Sequence, residues 1–308
     1  VLFYLLIGAM VFVLPGLSAV YSDQVTQLTA AILFIIGPIT GVVGAFPVFR
    51  MAEHSIENIA RLEAELDQAR VGNNDTYAGN GEPPPVMTTI ELNTVRFSYT
   101  DRDGNPLFTV GPLDLTLKQG EVLLIVGGNG SGKSTLLKLL TSLYYPSSGE
   151  IRVNGLDART VGYRTYRELF SAIFADYHLF ERLYGVSGVD DKRVVELLRL
   201  MGLERKTTWR DGRFANQELS TGQRKRLALI ISLLEDKQIY VFDEWAADQD
   251  PSFREFFYET LLPEMKRGGK TVVAATHDER YFHVGDRVLK MEAGRFIYDS
   301  DTTKIGPR

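Results

Sequence analysis

The stretch EVLLIVGGNGSGKSTLLKLL, residues 121–140, constrains the fold more than any other part of the chain. An apolar run reads as a buried strand, a glycine-rich turn follows it, and a helix follows the turn. That order is what makes the spacing G-x-x-x-x-G-K-S a phosphate site. Gly127, Gly128, Asn129, Gly130, Ser131 and Gly132 let backbone N–H groups face phosphate oxygens, and the start of the helix adds positive potential. Lys133 can then reach the β and γ phosphates, the Ser134 hydroxyl can bind Mg²⁺, and Thr135 completes the motif. The alternative, a strand-to-helix turn with no ligand, leaves the full match unexplained.

Residues 239–250, IYVFDEWAADQD, place adjacent carboxylates, Asp243 and Glu244, at the end of an apolar run. Acidic side chains there repel one another and lose solvation, so something positive should sit opposite. A strand ending in a solvated acidic loop is one way out. A metal nucleotide at the phosphate loop is the other: Asp243 would hold Mg²⁺ through water, and Glu244 would accept a proton from the water attacking the γ-phosphate of ATP.

The chain has 308 residues, enough for one or two domains with a full core, but its charge is unevenly spread. Residues 1–22 and 24–49 carry no charged side chain, with only Asp23 between them. At about 1.5 Å per residue the second run can cross a hydrocarbon core about 30 Å thick, and the first just can. Two transmembrane helices are therefore expected, with membrane lipid as a partner; a buried hairpin or a signal peptide is the alternative. The opening VLFYLLIGAMVFVLP lacks the basic start of a signal peptide. Pro15, Pro38 and Pro47 suggest kinks. Arg50, Arg61 and Arg70 follow the second run while the turn at YSDQ has no basic residue, so the larger part of the chain is expected in the cytoplasm. The net charge of -5 argues against nucleic acid as a partner, and the absence of cysteine agrees with a cytoplasmic location.

Beyond the second run, Ala52, Ile56, Ile59, Leu62, Leu66 and Ala69 recur on one helix face, either as ordinary core packing or as a seam to the next domain. Glycine, asparagine and three consecutive prolines then break the periodicity. The expected organisation is a membrane segment over 1–70, a linker over 71–88 and an α/β domain over 89–308. Within that domain, LSTGQRKRLALI (219–230) has Ser220 and Gln223 at the spacing of a helix capping box. Arg224, Lys225 and Arg226 load the same turn with cations, which the helix dipole disfavours and an anion docking there would relieve.

In the order phosphate loop, LSTGQ, IYVFDE, ADQD and AATHD, the chain from about residue 89 onward resembles the nucleotide-binding domain of ATP-binding-cassette proteins, an α/β P-loop NTPase fold. The resemblance implies a head-to-tail dimer in which the signature of one subunit closes over ATP held by the phosphate loop of another. Ser220, Thr221, Gly222 and Gln223 would then contact the partner's nucleotide, Asp248 would lie in the loop crossing the interface, His277 would touch the γ-phosphate, and Tyr99 would stack on adenine. Two spans leading by a long helix into this domain resemble the last third of an exporter half-transporter. Such half-transporters have six spans, and this chain starts at a non-methionine residue, so a fragment without the first four is expected.

LFSAIFADYHLF, FDEWAADQDPSFREFFYETLLPEMKRGGKTV and HDERYFHVGDRV look like the bacterial exporters of cyclic peptides and siderophore precursors, of pyoverdine and syringomycin type. This implies export of a small peptide across the bacterial inner membrane by a homodimer. A soluble ATPase of repair or translation type, or a membrane-anchored ATP sensor, are the other classes. Thr221 stands where the wider family has glycine, and the glutamine usual near Phe174 is absent. Asp176, the one acid between Leu169 and Phe180, is expected either to take that place at the edge of the Mg²⁺ shell or to be an ordinary loop residue.

Overall fold

The structure is a computed structural model that describes residues 22–72, 84–101, 103–180, 183, 188–216 and 218–300, with residues 8, 12 and 13 before them. The chain divides into two units, Val1–Asn74 and Asp75–Arg308. In the first, one helix, α1 (Ser22–Gly72), runs for 51 residues through both Pro38 and Pro47. The second uncharged run and the amphipathic stretch after it are therefore a single element, and Ser22–Gln24, expected in a turn, already belong to it. Among the described residues this is the one helix long and apolar enough to cross a membrane, within Phe34–Ala64, by length and composition. Phe34, Ile39, Val42, Phe46 and Phe49 are exposed along it, as are Ile56, Ile59 and Leu62 further on. The first expected span, over 1–22, lies almost wholly outside the described residues.

Of the expected linker, residues 73–83 also lie outside the described residues. Its last residues are part of the second unit: the Gln238 side chain accepts from the Met87 N–H at 2.8 Å and donates to the Pro85 carbonyl at 3.0 Å.

The second unit is built on two sheets. Strands β1 (Thr89–Thr100), β2 (Pro106–Lys118), β4 (Ser148–Val153) and β5 (Leu156–Asp157) form an antiparallel layer in the order β2-β1-β4-β5. The other sheet takes β3 (Val122–Val126), β6 (Phe170–Ile173), β9 (Ile239–Asp243), β10 (Thr271–Ala275), β11 (Arg287–Glu292) and β12 (Arg295–Asp299) in the order β12-β11-β3-β10-β9-β6. All its pairs are parallel except β11 with β12. A minor hairpin, β7 (Trp209–Arg210) and β8 (Arg213–Phe214), lies between.

Every residue of β3, β9 and β10 is buried, because both faces of the parallel sheet are covered. Leu123, Ile125, Val241 and Val273 face one core, shared with the antiparallel layer and with α2 (Lys133–Leu140). Leu124, Tyr240, Phe242 and Val272 face the other, shared with α3 (Asp191–Leu200), α4 (Thr221–Glu235) and the helical run that starts at Pro251. Polar groups are thereby pushed to the carboxyl ends of the strands, where Gly127, Asp243 and His277 arrive together, the usual ligand crevice of such sheets.

The far edge is held by buried Arg287. It donates to Asp299 in a two-pronged contact, Nε at 2.8 Å from Oδ1, and through Nη1 to the Thr116 carbonyl at 2.8 Å, tying β11 to β12 and β2. Removing one partner leaves a buried charge, so Asp299→Ala should cost about 3–5 kcal/mol in denaturant unfolding, and adding Arg287→Met should recover part of that loss.

Candidate nucleotide site

The phosphate loop leaves β3 at Gly127, whose φ of 149° and surroundings both demand glycine: a Cβ there would lie 2.3 Å from the Met291 carbonyl. The loop is pinned from the side by the Gly294 N–H, which donates to the Ser131 carbonyl at 2.9 Å. No side chain caps the start of α2, so its first N–H groups are free to meet an anion. They open into a cavity of about 440 Å³ lined by residues 129–135 together with Phe108, Ala175, Asp243 and Glu244.

Lys133 is buried at this junction of strand ends. Its ammonium donates to the Gly127 and Gly128 carbonyls at 2.8 and 3.2 Å and lies 3.2 Å from both Glu244 Oε1 and His277 Nε2. His277 Nε2 is in turn 2.8 Å from Glu244 Oε1. Burial works to raise the Glu244 carboxyl, but hydrogen bonds from His277 and Lys133 and the Lys133 charge outweigh it and hold the group below the usual range. Asp243 goes the other way: burial pushes it up, against the lowering effect of the Ser134 hydroxyl and the Ala175 backbone. Two adjacent carboxylates are thus set apart by environment.

Tyr99 is half-buried between Phe97 and Tyr144, and its hydroxyl is 3.2 Å from Thr135 Oγ1. Across the β1–β2 ladder its partner is Phe108, a half-buried cavity residue that sequence reasoning missed. The signature residues do not line this cavity. Ser220 caps α4 in a full capping box with Gln223, Thr221 is exposed, and a Cβ on Gly222 would lie 2.8 Å from the Asp248 carbonyl.

A family model described as "ABC transporter" matches residues 110–247. The chain is 37% identical over 311 residues to the ATP-binding protein SyrD of Pseudomonas syringae pv. syringae, covering 99% of this chain and 55% of that protein. It is 30% identical to the methionine import ATP-binding protein MetN 2 of Listeria monocytogenes serovar 1/2a, over 70% of this chain and 67% of the relative. The chain belongs to the ATP-binding-cassette family. Its second unit is that family's ATP-hydrolysing domain. A solved bacterial Atm1-family ABC exporter with ATP bound shares the fold, at a TM-score of 0.59 and 24% identity over 71% of this chain and 40% of that one. The chain spans about half the length of SyrD, 55%, and less of several other relatives.

One expectation for this cassette domain needs correction. Asp176 is 75% exposed and its carboxylate sits 3.5 Å from the Lys138 ammonium, so it is neither unpaired nor aimed at the nucleotide cavity. The residue of that stretch that lines the cavity is Ala175. The cations at the start of α4 also find partners within the chain: Lys225 pairs with Asp248 at 2.7 Å, and Arg226 pairs with Asp250 and lies over the Phe253 ring at 3.8 Å. Arg224 alone of the three is exposed. These contacts cross 23 or 24 residues of sequence, and the charges of segment 248–250 were the available clue.

Mg²⁺ fits the residues present. Asp243 Oδ1 is buried and has no hydrogen-bond partner, an acceptor left over for a cation beside the Ser134 hydroxyl. Mg²⁺ needs few protein ligands, since it keeps waters and takes phosphate oxygens, so one carboxylate and one hydroxyl suffice.

The raised Asp243 sets a pH sign. Stability linked to a raised carboxyl is present below the ordinary aspartate range and is lost as pH rises through the folded-state value. Asp243→Asn should therefore raise stability at neutral pH by about 1 kcal/mol, read as thermal unfolding without nucleotide, with the gain fading on acidification. The same variant should lose Mg²⁺-dependent ATP turnover.

Proposed function

We propose that the chain is the ATP-hydrolysing end of a half-transporter that works as a homodimer to export a small peptide, a cyclic peptide or siderophore precursor, across the bacterial inner membrane. In this reading α1 is the last span and its cytoplasmic extension, and the cassette domain lies in the cytoplasm. One observation carries the dimer: the phosphate loop with its charged groups, and the Ser220–Gln223 turn, belong to one chain, yet the turn contributes nothing to the nucleotide cavity. A second copy supplies it. The peptide substrate rests on the narrower likeness around Trp245 and Asp248 and on the match to SyrD, which extends over 99% of the chain and so includes the apolar helix.

The contacts around Lys133 support the roles of the phosphate-side residues, and the family likeness supports those of Tyr99 and the signature turn. Backbone N–H groups of residues 127–132 and the Lys133 ammonium cradle the β and γ phosphates of ATP. Ser134 and Asp243 would hold Mg²⁺, which neutralises charge developing on the phosphate oxygens. Glu244, kept ionised by its neighbours, accepts the proton of the attacking water, and His277 fixes the Glu244 carboxylate at one oxygen while facing the γ-phosphate. Tyr99 offers its ring to adenine, while Ser220, Thr221, Gly222 and Gln223 close over the partner's nucleotide with Asp248 at the crossing.

Mixing Lys133→Ala and Ser220→Ala chains tests the shared site, because a mixed dimer holds one site with both lesions and one with neither. Each variant alone should be inactive, and mixing under subunit exchange should restore up to about a quarter of wild-type ATPase activity, from half the dimers with half their sites intact. No recovery would refute the composite site. For the substrate, ATPase activity of the full transporter in lipid should rise severalfold with linear or cyclic nonribosomal peptides. A response to none of them would remove the peptide assignment.

A further inference from the structure

Lys225 has no role in the reading above, yet it touches both halves of the machinery. It lies in the first turn of α4, right after the signature, and its side chain is buried. The ammonium donates to the Glu244 carbonyl at 3.0 Å and pairs with Asp248 at 2.7 Å. Its own backbone carbonyl accepts from the indole N–H of Trp245 at 2.9 Å. Beside it the Gln249 side chain donates to the Gly222 carbonyl at 3.2 Å, so the signature turn and the segment after β9 are stitched at two points.

Glu244 needs that support. Its φ of 50° lies in the left-handed region, which a glutamate adopts only when its surroundings impose it. Its N–H donates to the Ala275 carbonyl at 3.1 Å, fixing one side of the peptide to β10, and Lys225 fixes the other side to α4. A buried ammonium cannot give up both oxygen partners without a large desolvation cost, so any shift of the signature turn carries the Glu244 backbone with it.

We propose that Lys225 is a positioning residue that couples the two ATP sites of the dimer. From one anchor it aims Glu244 at the water of its own chain's site and sets the Ser220–Gln223 turn that closes over the partner's ATP. This rests on the composite-site reading, whose own failure would show separately as no recovery in the mixture of Lys133→Ala and Ser220→Ala chains.

The test uses the full transporter and two defined heterodimers, each with one site inactivated. Pairing a Lys225→Met chain with a Lys133→Ala chain leaves the site that uses the altered chain's Glu244. Pairing a Lys225→Met, Lys133→Ala chain with a wild-type chain leaves the site that uses the altered chain's signature. Wild type paired with Lys133→Ala is the reference, and Glu244→Gln gives the floor. Both heterodimers should lose about 10- to 100-fold in kcat with KM for ATP changed less than about threefold, because charge-assisted contacts to positioning groups are lost while the phosphate loop is intact. A loss in one arm alone, or a rise in KM at unchanged kcat, would overturn the coupling role. If Lys225→Met fails to fold, Asp248→Asn at the exposed end of the same pair takes its place in both arms. It should lower kcat in both, by less, and equal reference activity in either arm would overturn the proposal.

Discussion

One ammonium organises the site. Lys133 stands where three parallel strands end, and its contacts reach the carbonyls after β3, the carboxylate after β9 and the imidazole after β10. The sheet forces this crowding: β3, β9 and β10 are buried on both faces, so their polar residues have nowhere to go but the carboxyl edge. With two carboxylates side by side and one cation opposite, the cation selects Glu244, and Asp243 is left buried with a free oxygen. That division leaves one carboxylate ionised beside a cation and the other with a buried free acceptor.

The second organising contact is further from the chemistry. Segment 244–250 is short, carries Glu244 in a left-handed conformation, and is held almost entirely by α4: Lys225 on Glu244 and Asp248, Arg226 on Gln249 and Asp250. Arg254 closes the other side, donating to the Ala247 and Gln249 carbonyls and reaching Asp278 at 3.4 Å, the neighbour of His277. The Ser220–Gln223 turn, Glu244 and the loop that carries His277 therefore share one network of polar and charged side chains. In a half-buried setting such pairs add little net stability, since desolvation offsets most of their Coulomb energy.

What the sequence made legible was local. The phosphate loop follows from glycine and lysine spacing between an apolar run and a helix, and the buried strands before Gly127 and up to Asp243 from unbroken apolar runs, because those signals depend on a few adjacent residues. The capping box at Ser220 was equally plain. The failures were contacts across the fold. Asp176 looked like an unpaired acid among apolar residues, but Lys138, 38 positions away on α2, faces it in solvent. Two of the three cations of α4, Lys225 and Arg226, have their acids on a different element, which no local pattern shows. The long helix was legible in most of its length: apolar length marked its first part and the recurring apolar face from Ala52 to Ala69 its continuation, while its start at Ser22 falls in the expected turn.

The departure at Thr221 makes physical sense in this light. Of the two central positions of the turn, the first, Thr221, is exposed, so a β-branched side chain has room there. The second is different: a Cβ at Gly222 would lie 2.8 Å from the Asp248 carbonyl and 3.5 Å from the Gln249 side chain. The same close approach lets Gln249 reach the Gly222 carbonyl and Lys225 reach Asp248. The requirement for glycine at Gly222 therefore arises within a single chain, before any nucleotide or partner is considered. It is a condition for fastening the segment that carries Glu244 against the Ser220–Gln223 turn.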